Sequence, residues 1–247
     1  MHGLIAAAGL STRLQDLAEH RNKVLLDLGG ATILATILDN FHQAGVEQTY
    51  VTAGFDAAMV RTACSAAPGP VACVLNPFYA HSGILGSLWL ARHHLDGIPF
   101  VFSTGDHYCC RERFLAFLQD QPQADVLVDV EIKTCDEEDM KVFLSRDGRL
   151  RTITKTFLRG PVLGEFTGCV RFSAEGSRSF FKTLERQVWH QGIDGYVADV
   201  LCAYHRKWEL AFHVSSDHRR VEVDFPCDLD RARSLYSQEH PGARRTG

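Results

Sequence analysis

The sequence predicts an α/β fold in which a mostly parallel sheet is flanked by helices. Short apolar runs bounded by turn residues alternate with segments of helical periodicity through the first half of the chain. No internal repeat or low-complexity linker interrupts this alternation. The length of 247 residues suits one large domain or two small ones, and it allows a core that needs no disulfide support.

Strands and helices alternate from the start of the chain. Leu4–Ala8 is predicted as a buried strand, and apolar residues at helical spacing predict a helix over Thr32–Phe41. Such alternation is typical of β-α-β units. The further predicted elements of this half are strand Thr49–Ala53, helix Ala57–Cys64, strand Val71–Leu75, helix Ile84–Leu95, strand Phe100–Ser103, helix Arg111–Leu118 and strand Asp125–Val130.

The second half changes character. Lys141–Ser145 and Arg151–Lys155 are predicted strands joined by Asp147-Gly148, a dipeptide typical of hairpins. Trp89 and Trp189 lie in helical patterns, and we expect both in the core. The remaining predicted elements are strand Glu165–Phe172, helices Ser177–Gln191 and Asp194–His205, strands Leu210–Val214 and Val221–Val223, and a helix that begins near Pro226.

These elements predict a single domain over residues 1–240, with a first half at about 1–120, a second at about 121–240, and a frayed tail at 241–247. The apolar run Leu4–Leu10 is too short for a signal segment, and no run is long enough to span a membrane. The eight cysteines form no C-x-x-C pair and are predicted to be small buried hydrophobic residues in a reducing compartment. We therefore expect a cytoplasmic protein.

Charge limits the partners. The chain carries 26 basic and 30 acidic residues, a net charge of −4. This balance lacks the bulk positive field of a nucleic-acid or membrane-surface binder, so we expect neither partner. An anionic ligand would have to be held by a few placed cations.

A small-residue loop follows the first predicted strand. It reads Ala8-Gly9-Leu10-Ser11-Thr12-Arg13, and Lys23 follows ten residues later. Backbone N–H groups of such a loop are free to bind an anion, and Arg13 and Lys23 are placed cations. Neither a Walker loop nor a dinucleotide fingerprint is present. On spacing alone, an ordinary turn with a surface Arg and Lys fits better.

Two carboxylates end predicted strands. Asp106 follows Pro99–Thr104, and Asp224 follows Val221–Val223. The carboxyl ends of strands in open α/β sheets are where ligands bind, and two carboxylates there suit a hard cation such as Mg²⁺. Each residue is equally suited to cap the helix that follows it.

Together these residues resemble the nucleotidyltransferases that make sugar nucleotides and CDP-alcohols. Gly9, Arg13 and Lys23 resemble the signature loop of that superfamily, and Gly105-Asp106 and Glu222-Val223-Asp224 resemble its two metal-binding positions. The chain is most similar to the phosphocholine, aminoethylphosphonate and inositol-1-phosphate cytidylyltransferases. The segments that carry this narrower likeness are Asn76–Tyr79, Gly86–Arg92, Gly105–His107, Glu137–Val142, Ile153–Lys155 and Glu165–Gly168. The likeness spans residues 3–236. Three positions depart from it: Ser11 for a glycine, Asn22 for the proline before the lysine, and Ile84 for an asparagine.

The resemblance implies a Rossmann-like mixed, mostly parallel sheet with an acceptor-binding lobe in the second half. It implies a Mg²⁺-dependent cytidylyltransferase, in which the phosphate or phosphonate of a small alcohol attacks the α-phosphorus of CTP and pyrophosphate leaves. The implied catalytic residues are Arg13 at the pyrophosphate, Lys23 at the α-phosphorus and Lys155 at the acceptor phosphate. The implied nucleotide-binding residues are Ala6, Ala7, Ala8, Gly9, Ser11, Thr12, Arg13, Lys23, Ser87 and Gly105. The implied Mg²⁺ ligands are Asp106 and Asp224. The implied acceptor-binding residues are Lys141, Lys155, Glu165, Gly168 and Asp199.

Several alternatives stay open at this point. A cationic acceptor head would suit Glu165 and Asp199, whereas a polyol or acidic head would suit basic residues such as Arg171 and Arg220. Another activity is a sugar-1-phosphate nucleotidyltransferase using a different NTP, and another class is a non-catalytic nucleotide sensor. The family's domain often joins an aminotransferase or a kinase, so a fused partner and a homodimer are also open.

Overall fold

The computed structural model describes residues 1–10 and 21–242, which divide into two compact units. Unit 1 comprises Met1–His81, Ser103–Gln119 and Arg219–Gly247, and unit 2 comprises Ser82–Phe102 and Asp120–His218. The units interleave along the chain, and the single domain with halves at about 1–120 and 121–240 stays a prediction. Most of the predicted tail lies outside the described residues.

The elements are numbered here in chain order, among the described residues. The strands are β1 (His2–Ala7), β2 (Gln48–Ala53), β3 (Val71–Leu75), β4 (Phe100–Thr104), β5 (His107–Cys109), β6 (Val126–Glu131), β7 (Lys141–Leu144), β8 (Leu150–Thr154), β9 (Val162–Phe172), β10 (Ala211–Ser215) and β11 (Arg220–Glu222). The helices are α1 (Ile33–Gln43), α2 (Ala57–Ser65), α3 (Ile84–Ala91), α4 (Arg111–Gln119), α5 (Ala174–Gln191), α6 (Val197–His205) and α7 (Pro226–Glu239), and Lys23–Leu25 and Arg92–His94 are 3₁₀ turns.

In unit 1, β1, β2 and β3 form a parallel sheet in that order. The Thr32 hydroxyl accepts a hydrogen bond from the Ala35 N–H and so starts α1. The apolar stripe of α1 is buried, including Ile33 and Phe41. A small antiparallel pair, β5 with β11, completes the unit's strands, with Glu222 opposite His107.

In unit 2, β9 lies between β6 and β4. Strand β10 runs parallel to β6, whereas β6 and β7 run antiparallel to β9, and β7 and β8 form the predicted antiparallel hairpin. The rings of Phe100 and Phe172 stack at 4.4 Å between centroids. Helix α5 is capped by Ser173, whose hydroxyl accepts from the Gly176 N–H.

The observed fold is α/β with a central, largely parallel sheet and flanking helices, as predicted. The predicted elements occur with shifts of a few residues at their ends, except that the helix expected over Ile84–Leu95 ends as a 3₁₀ turn. Strand β5 is not predicted, because it forms by pairing with β11 from a distant part of the chain.

The expectation that both tryptophans lie in the core is wrong for Trp189, which is 78% exposed. The buried residues of α5 all precede it, so its last turn extends past the core. All eight cysteines are free thiols, but only four of them are buried and Cys227 is exposed, so the expectation of buried cysteines holds only in part. In the described part of the chain, no helix has both the length and the apolar character to cross a bilayer.

Candidate active site

Pairing between β5 and β11 brings Asp106 and Asp224 together. One step beyond the Glu222–His107 pair, the Val223 N–H donates to the Asp106 carbonyl at 2.8 Å. The ladder therefore holds Asp224 beside Asp106, although they are far apart in sequence. Both residues lie in unit 1.

Neither residue occupies the cap position that was the alternative. Strand β5 separates Asp106 from α4. At α7 the N-cap residue is Phe225, and the Asp228 carboxylate accepts its N–H at 2.8 Å. The helix starts are thus formed by other residues.

The ammonium of Lys23 bridges the two carboxylates. Its Nζ lies 2.9 Å from Asp106 Oδ2 and 2.8 Å from Asp224 Oδ1. All three side chains are largely buried. Burial alone would lower the pKa of Lys23, but the two carboxylates outweigh it and raise that pKa above its ordinary value. Burial alone would raise the pKa of Asp106, but the Lys23 ammonium holds it well below its usual range.

A third carboxylate completes the cluster. Ligand atoms of Asp106, Glu222 and Asp224 lie within 4.8 Å of one another. The Glu222 side chain is partly exposed, and partial desolvation of its carboxylate together with repulsion from Asp106 raises its pKa to about 7. The second oxygen of Asp106, Oδ1, is buried and has no hydrogen-bond partner in the described chain.

These residues fit a divalent cation. Three carboxylates within reach of one point are the hard oxygen donors that Mg²⁺ prefers. A buried acceptor without a donor carries a desolvation cost that a cation would remove. The charge of a cation would also favour the ionised form of Glu222.

His107 is a structural neighbour of this cluster. It is buried, and burial together with the charge of Arg220 lowers its pKa to about 3. Its imidazole is therefore neutral at physiological pH. Its Nδ1 lies 3.1 Å from the Thr104 hydroxyl.

The end of β1 packs directly against this cluster. The Gly105 N–H donates to the Ala6 carbonyl at 2.9 Å, and a Cβ at Gly105 would lie 2.6 Å from that oxygen. The carbonyl of Ala7 accepts from Asn22, and that of Ala8 from the Phe55 N–H. Gly9 faces open space, with no described atom within 4 Å of its ideal Cβ. The structure thus brings Ala6, Ala7, Ala8, Gly105, Lys23, Asp106 and Asp224 together in unit 1.

A model of the MobA-like NTP transferase domain matches residues 3–156, more than half of the chain. The chain belongs to this family of NTP transferases. The matched range includes Lys23 and Asp106, and Asp224 follows outside it. A search of curated proteins found no match.

Solved structures share the fold of this NTP transferase at low identity. They include the inositol-1-phosphate CTP transferase from T. maritima (TM-score 0.79, 17% identity, 98% of this chain and 97% of that one). The CTP:phosphocholine cytidylyltransferase from Streptococcus pneumoniae has a TM-score of 0.73 at 15% identity, covering 95% and 98%. A UDP-glucose pyrophosphorylase from Acinetobacter baumanii has a TM-score of 0.79 at 13% identity, covering 98% and 95%.

Some predicted residues of the NTP transferase do not join this cluster. Ser11, Thr12 and Arg13 lie outside the described residues. Ser87 belongs to unit 2, where it is buried on α3.

The predicted acceptor residues also lie in unit 2, and three of them are neighbours. Lys141 is fully buried, and its Nζ donates to the carbonyls of Asp139 at 2.9 Å and Lys155 at 2.6 Å. Lys141 pairs with Glu165 across the β7–β9 ladder. The Lys155 ammonium lies 3.2 Å from Glu138.

The other two acceptor residues are separate from this group. Gly168 lies on β9 with φ +84°, near an irregularity in its pairing with β6. Asp199 accepts the Tyr196 N–H at 2.8 Å in the capping box of α6. Their roles at an acceptor stay predictions.

Sequence reasoning missed Glu222 as a member of the NTP transferase cluster. The signal was present, because alternate residues of a strand face one side, and Glu222 and Asp224 are two apart. Asn22 was noted only as a departure from the family pattern. Its contacts with Ala7 and Phe55 depend on tertiary structure.

Proposed function

We propose that this protein is a Mg²⁺-dependent cytidylyltransferase that transfers CMP from CTP to the phosphate or phosphonate of a small alcohol, releasing pyrophosphate. Family membership supports nucleotidyl transfer. The observation that carries the proposal is the bridge of Lys23 between Asp106 and Asp224, beside the end of β1. Transfer of a nucleotidyl group requires a cationic side chain and a cluster of carboxylates that can hold a metal ion, and this site contains both.

The carboxylates would hold the metal. Asp106, Asp224 and Glu222 would supply the oxygen ligands. The buried Oδ1 of Asp106 is one of the oxygens that the cation would contact. When bound, Mg²⁺ would supply positive charge that offsets the charge of the triphosphate.

Lys23 would stabilise charge at the α-phosphorus. Its ammonium now serves two carboxylates, so it must exchange those partners for the nucleotide phosphate. The exchange needs little motion of the backbone, because the lysine side chain has four methylene groups joined by rotatable bonds. Its raised pKa keeps the side chain cationic throughout the working pH range.

No strong general base is required in this chemistry. The attacking phosphate or phosphonate oxygen is already anionic, so catalysis reduces to positioning and charge stabilisation. The neutral His107 beside Asp106 is consistent with a site that moves no proton. In this proposal Arg13 contacts the leaving pyrophosphate and Lys155 the acceptor phosphate.

The choice of CTP and of acceptor class rests on likeness. The fold is shared with CTP-using enzymes for inositol-1-phosphate and phosphocholine, and also with a UDP-glucose pyrophosphorylase. A sugar-1-phosphate nucleotidyltransferase is therefore the second candidate.

A matrix of four NTPs against phosphocholine, 2-aminoethylphosphonate, inositol-1-phosphate and glucose-1-phosphate tests the proposal. Pyrophosphate release is measured in Mg²⁺ and in EDTA. We expect release with CTP and one alcohol phosphate or phosphonate, only in Mg²⁺. Release with glucose-1-phosphate and another NTP would favour the second candidate. Binding of nucleotide without release from any pair would indicate a sensor.

A further inference from the structure

Asn22 stands where the resembled signature loop has proline, directly before Lys23. It is only 1% exposed, which is unusual for an asparagine in a loop. Its backbone has φ −67° and ψ 132°. A proline ring would fix φ close to this value, so this chain reaches a proline-like conformation without the ring.

The carboxamide of Asn22 accounts for that conformation. Its Nδ2 donates to the carbonyls of Ala7 at 2.7 Å and Phe55 at 3.0 Å, and its Oδ1 accepts from the Val24 N–H at 3.2 Å. Both amide hydrogens and the oxygen are thus used. The contacts join the end of β1, the segment after β2 and the 3₁₀ turn that carries Lys23.

The backbone beyond Phe55 is strained next to this contact. Asp56 has φ +54°, the only positive value at a non-glycine residue in the described chain. Its carboxylate does not cap α2; instead, its Oδ2 accepts a long hydrogen bond from the backbone N–H of Asn22 at 3.5 Å. A left-handed conformation at such a residue is unfavourable and persists where surrounding contacts impose it.

A fixed backbone conformation at Asn22 also fixes the position of the Lys23 Cα, from which the Lys23 side chain extends. The turn is closed by the Leu25 N–H on the Asn22 carbonyl at 2.9 Å and by the Leu26 N–H on the Lys23 carbonyl at 3.1 Å. A long, rotamer-rich side chain reaches two carboxylates reproducibly only from a fixed base.

We propose that Asn22 is a positioning residue for Lys23: its carboxamide, in place of a proline ring, holds the turn from which Lys23 reaches Asp106 and Asp224. Its effect on turnover rests on the proposed function. Its effect on the position of the Lys23 ammonium does not, and is measured separately.

The test compares Asn22→Ala and Asn22→Pro with wild type. We expect Asn22→Ala to lower kcat about tenfold or more while the KM for NTP changes much less, because a misplaced cation weakens the transition state. Asn22→Pro restores the restraint on φ, although it lacks the N–H that donates to Asp56 Oδ2 at 3.5 Å, and should recover most of the lost kcat. A merely structural asparagine would not be rescued in this way.

Acylation of Lys23 gives the second readout. A water-soluble amine reagent is applied briefly, and peptides are quantified by mass spectrometry. In wild type the bridged ammonium should react slowly; in Asn22→Ala it should react about tenfold faster, and in Asn22→Pro close to wild type. Ser177→Ala is the matched control, since Ser177 in unit 2 is also buried and donates to the Leu95 carbonyl at 2.7 Å. It should leave Lys23 protected.

The outcomes separate the two claims. An Asn22→Ala protein with unchanged Lys23 acylation, or an Asn22→Pro protein as reactive as Asn22→Ala, would overturn the positioning role. Should wild type release no pyrophosphate with any pair, the proposed function fails while the acylation result still decides the role of Asn22. If Asn22→Ala does not fold, Asn22→Ser keeps a cap for Val24, lacks the two donors, and should behave as predicted for alanine.

Discussion

The Nζ atom of Lys23 lies 2.9 Å from Oδ2 of Asp106. The lysine that we expect to contact the nucleotide therefore forms an ion pair with an aspartate that we expect to bind the metal. Asp224 shares the same ammonium. Removal of that charge would leave neighbouring carboxylates to repel one another. In the proposed function, one side chain would therefore affect nucleotide binding, cation binding and stability.

Lys23→Ala should abolish most nucleotidyl transfer. Loss of one preorganised charge at a reacting centre lowers kcat by about 10²–10³. The variant should also unfold at lower urea in EDTA than wild type, and Mg²⁺ should restore part of the difference. Pyrophosphate release and urea midpoints with and without Mg²⁺ check both effects.

Lys182→Ala is the control for this variant, because Lys182 is an exposed residue of α5 in unit 2. It should match wild type in both measurements. A Lys23→Ala protein that keeps full pyrophosphate release would remove Lys23 from the mechanism.

Glu222→Gln should weaken cation binding with little effect on the fold. The substitution keeps the shape of the side chain but removes one anionic donor of the cluster with Asp106 and Asp224. We expect the Mg²⁺ concentration for half-maximal activity to rise about tenfold. Glu112→Gln, which removes an exposed partner of Arg219, should leave that concentration unchanged. Equal Mg²⁺ dependence in both variants would exclude Glu222 as a ligand.

Gly105→Ala should destabilise unit 1. Its Cβ would lie 2.6 Å from the Ala6 carbonyl oxygen, a backbone atom that cannot move aside as a side chain would. The free energy of unfolding should fall by about 1–3 kcal/mol. Gly9→Ala, which meets no described atom within 4 Å, should change it by less than about 0.5 kcal/mol. Equal urea midpoints for the two variants would contradict the argument.

Much of the fold was predictable because apolar periodicity is a local signal. β3 was predicted with its observed limits, and α1 and α2 within two residues, since each shows several residues of its period. Strand β5 could not be predicted, because it depends on pairing with β11 from a distant part of the chain. The same pairing creates the Asp106–Asp224 contact.

The candidate site was predictable as residue types but not as contacts. The motifs indicated Lys23, Asp106 and Asp224, whereas nothing local to them indicates that the lysine bridges both carboxylates. Burial is equally non-local: Lys141 was expected at an acceptor phosphate, and its ammonium is fully buried against backbone carbonyls. Such contacts follow from tertiary packing, which a single sequence does not display.

Cys73 should be the most reactive cysteine near neutral pH. Interaction with the neighbouring Cys64 thiol lowers the pKa of Cys73 to about 7; burial acts in the opposite direction, and the charge of Arg61 assists the lowering. Thiolate is the nucleophile, so alkylation of Cys73 should rise through pH 7, whereas unperturbed thiols rise about 1.5 units later. Peptide mass spectrometry across a pH series after brief iodoacetamide treatment measures this.

Cys64→Ala should move the Cys73 alkylation curve to higher pH, because the interaction with Cys64 that lowers the pKa of Cys73 is lost. Cys169→Ala removes a buried thiol of β9 and should leave the curve in place. A Cys73 curve that does not respond to Cys64→Ala would show that Arg61 alone sets the shift.

We expect substitution of Lys141 to reduce stability and substitution of Lys155 to reduce acceptor binding. Lys141→Met leaves two carbonyls without their charged donor, at about 1–3 kcal/mol for each group left unsatisfied, so the variant should be clearly less stable. Lys155→Met removes a half-exposed pair with Glu138, which contributes less than about 1 kcal/mol.

If Lys155 binds the acceptor phosphate, its variant should raise the acceptor KM about tenfold while its urea midpoint stays near that of wild type. Lys182→Met, the same substitution on α5, should alter neither quantity. An unchanged acceptor KM in Lys155→Met would remove that residue from the acceptor site, and an unchanged midpoint in Lys141→Met would mean that its buried contacts add nothing net to stability.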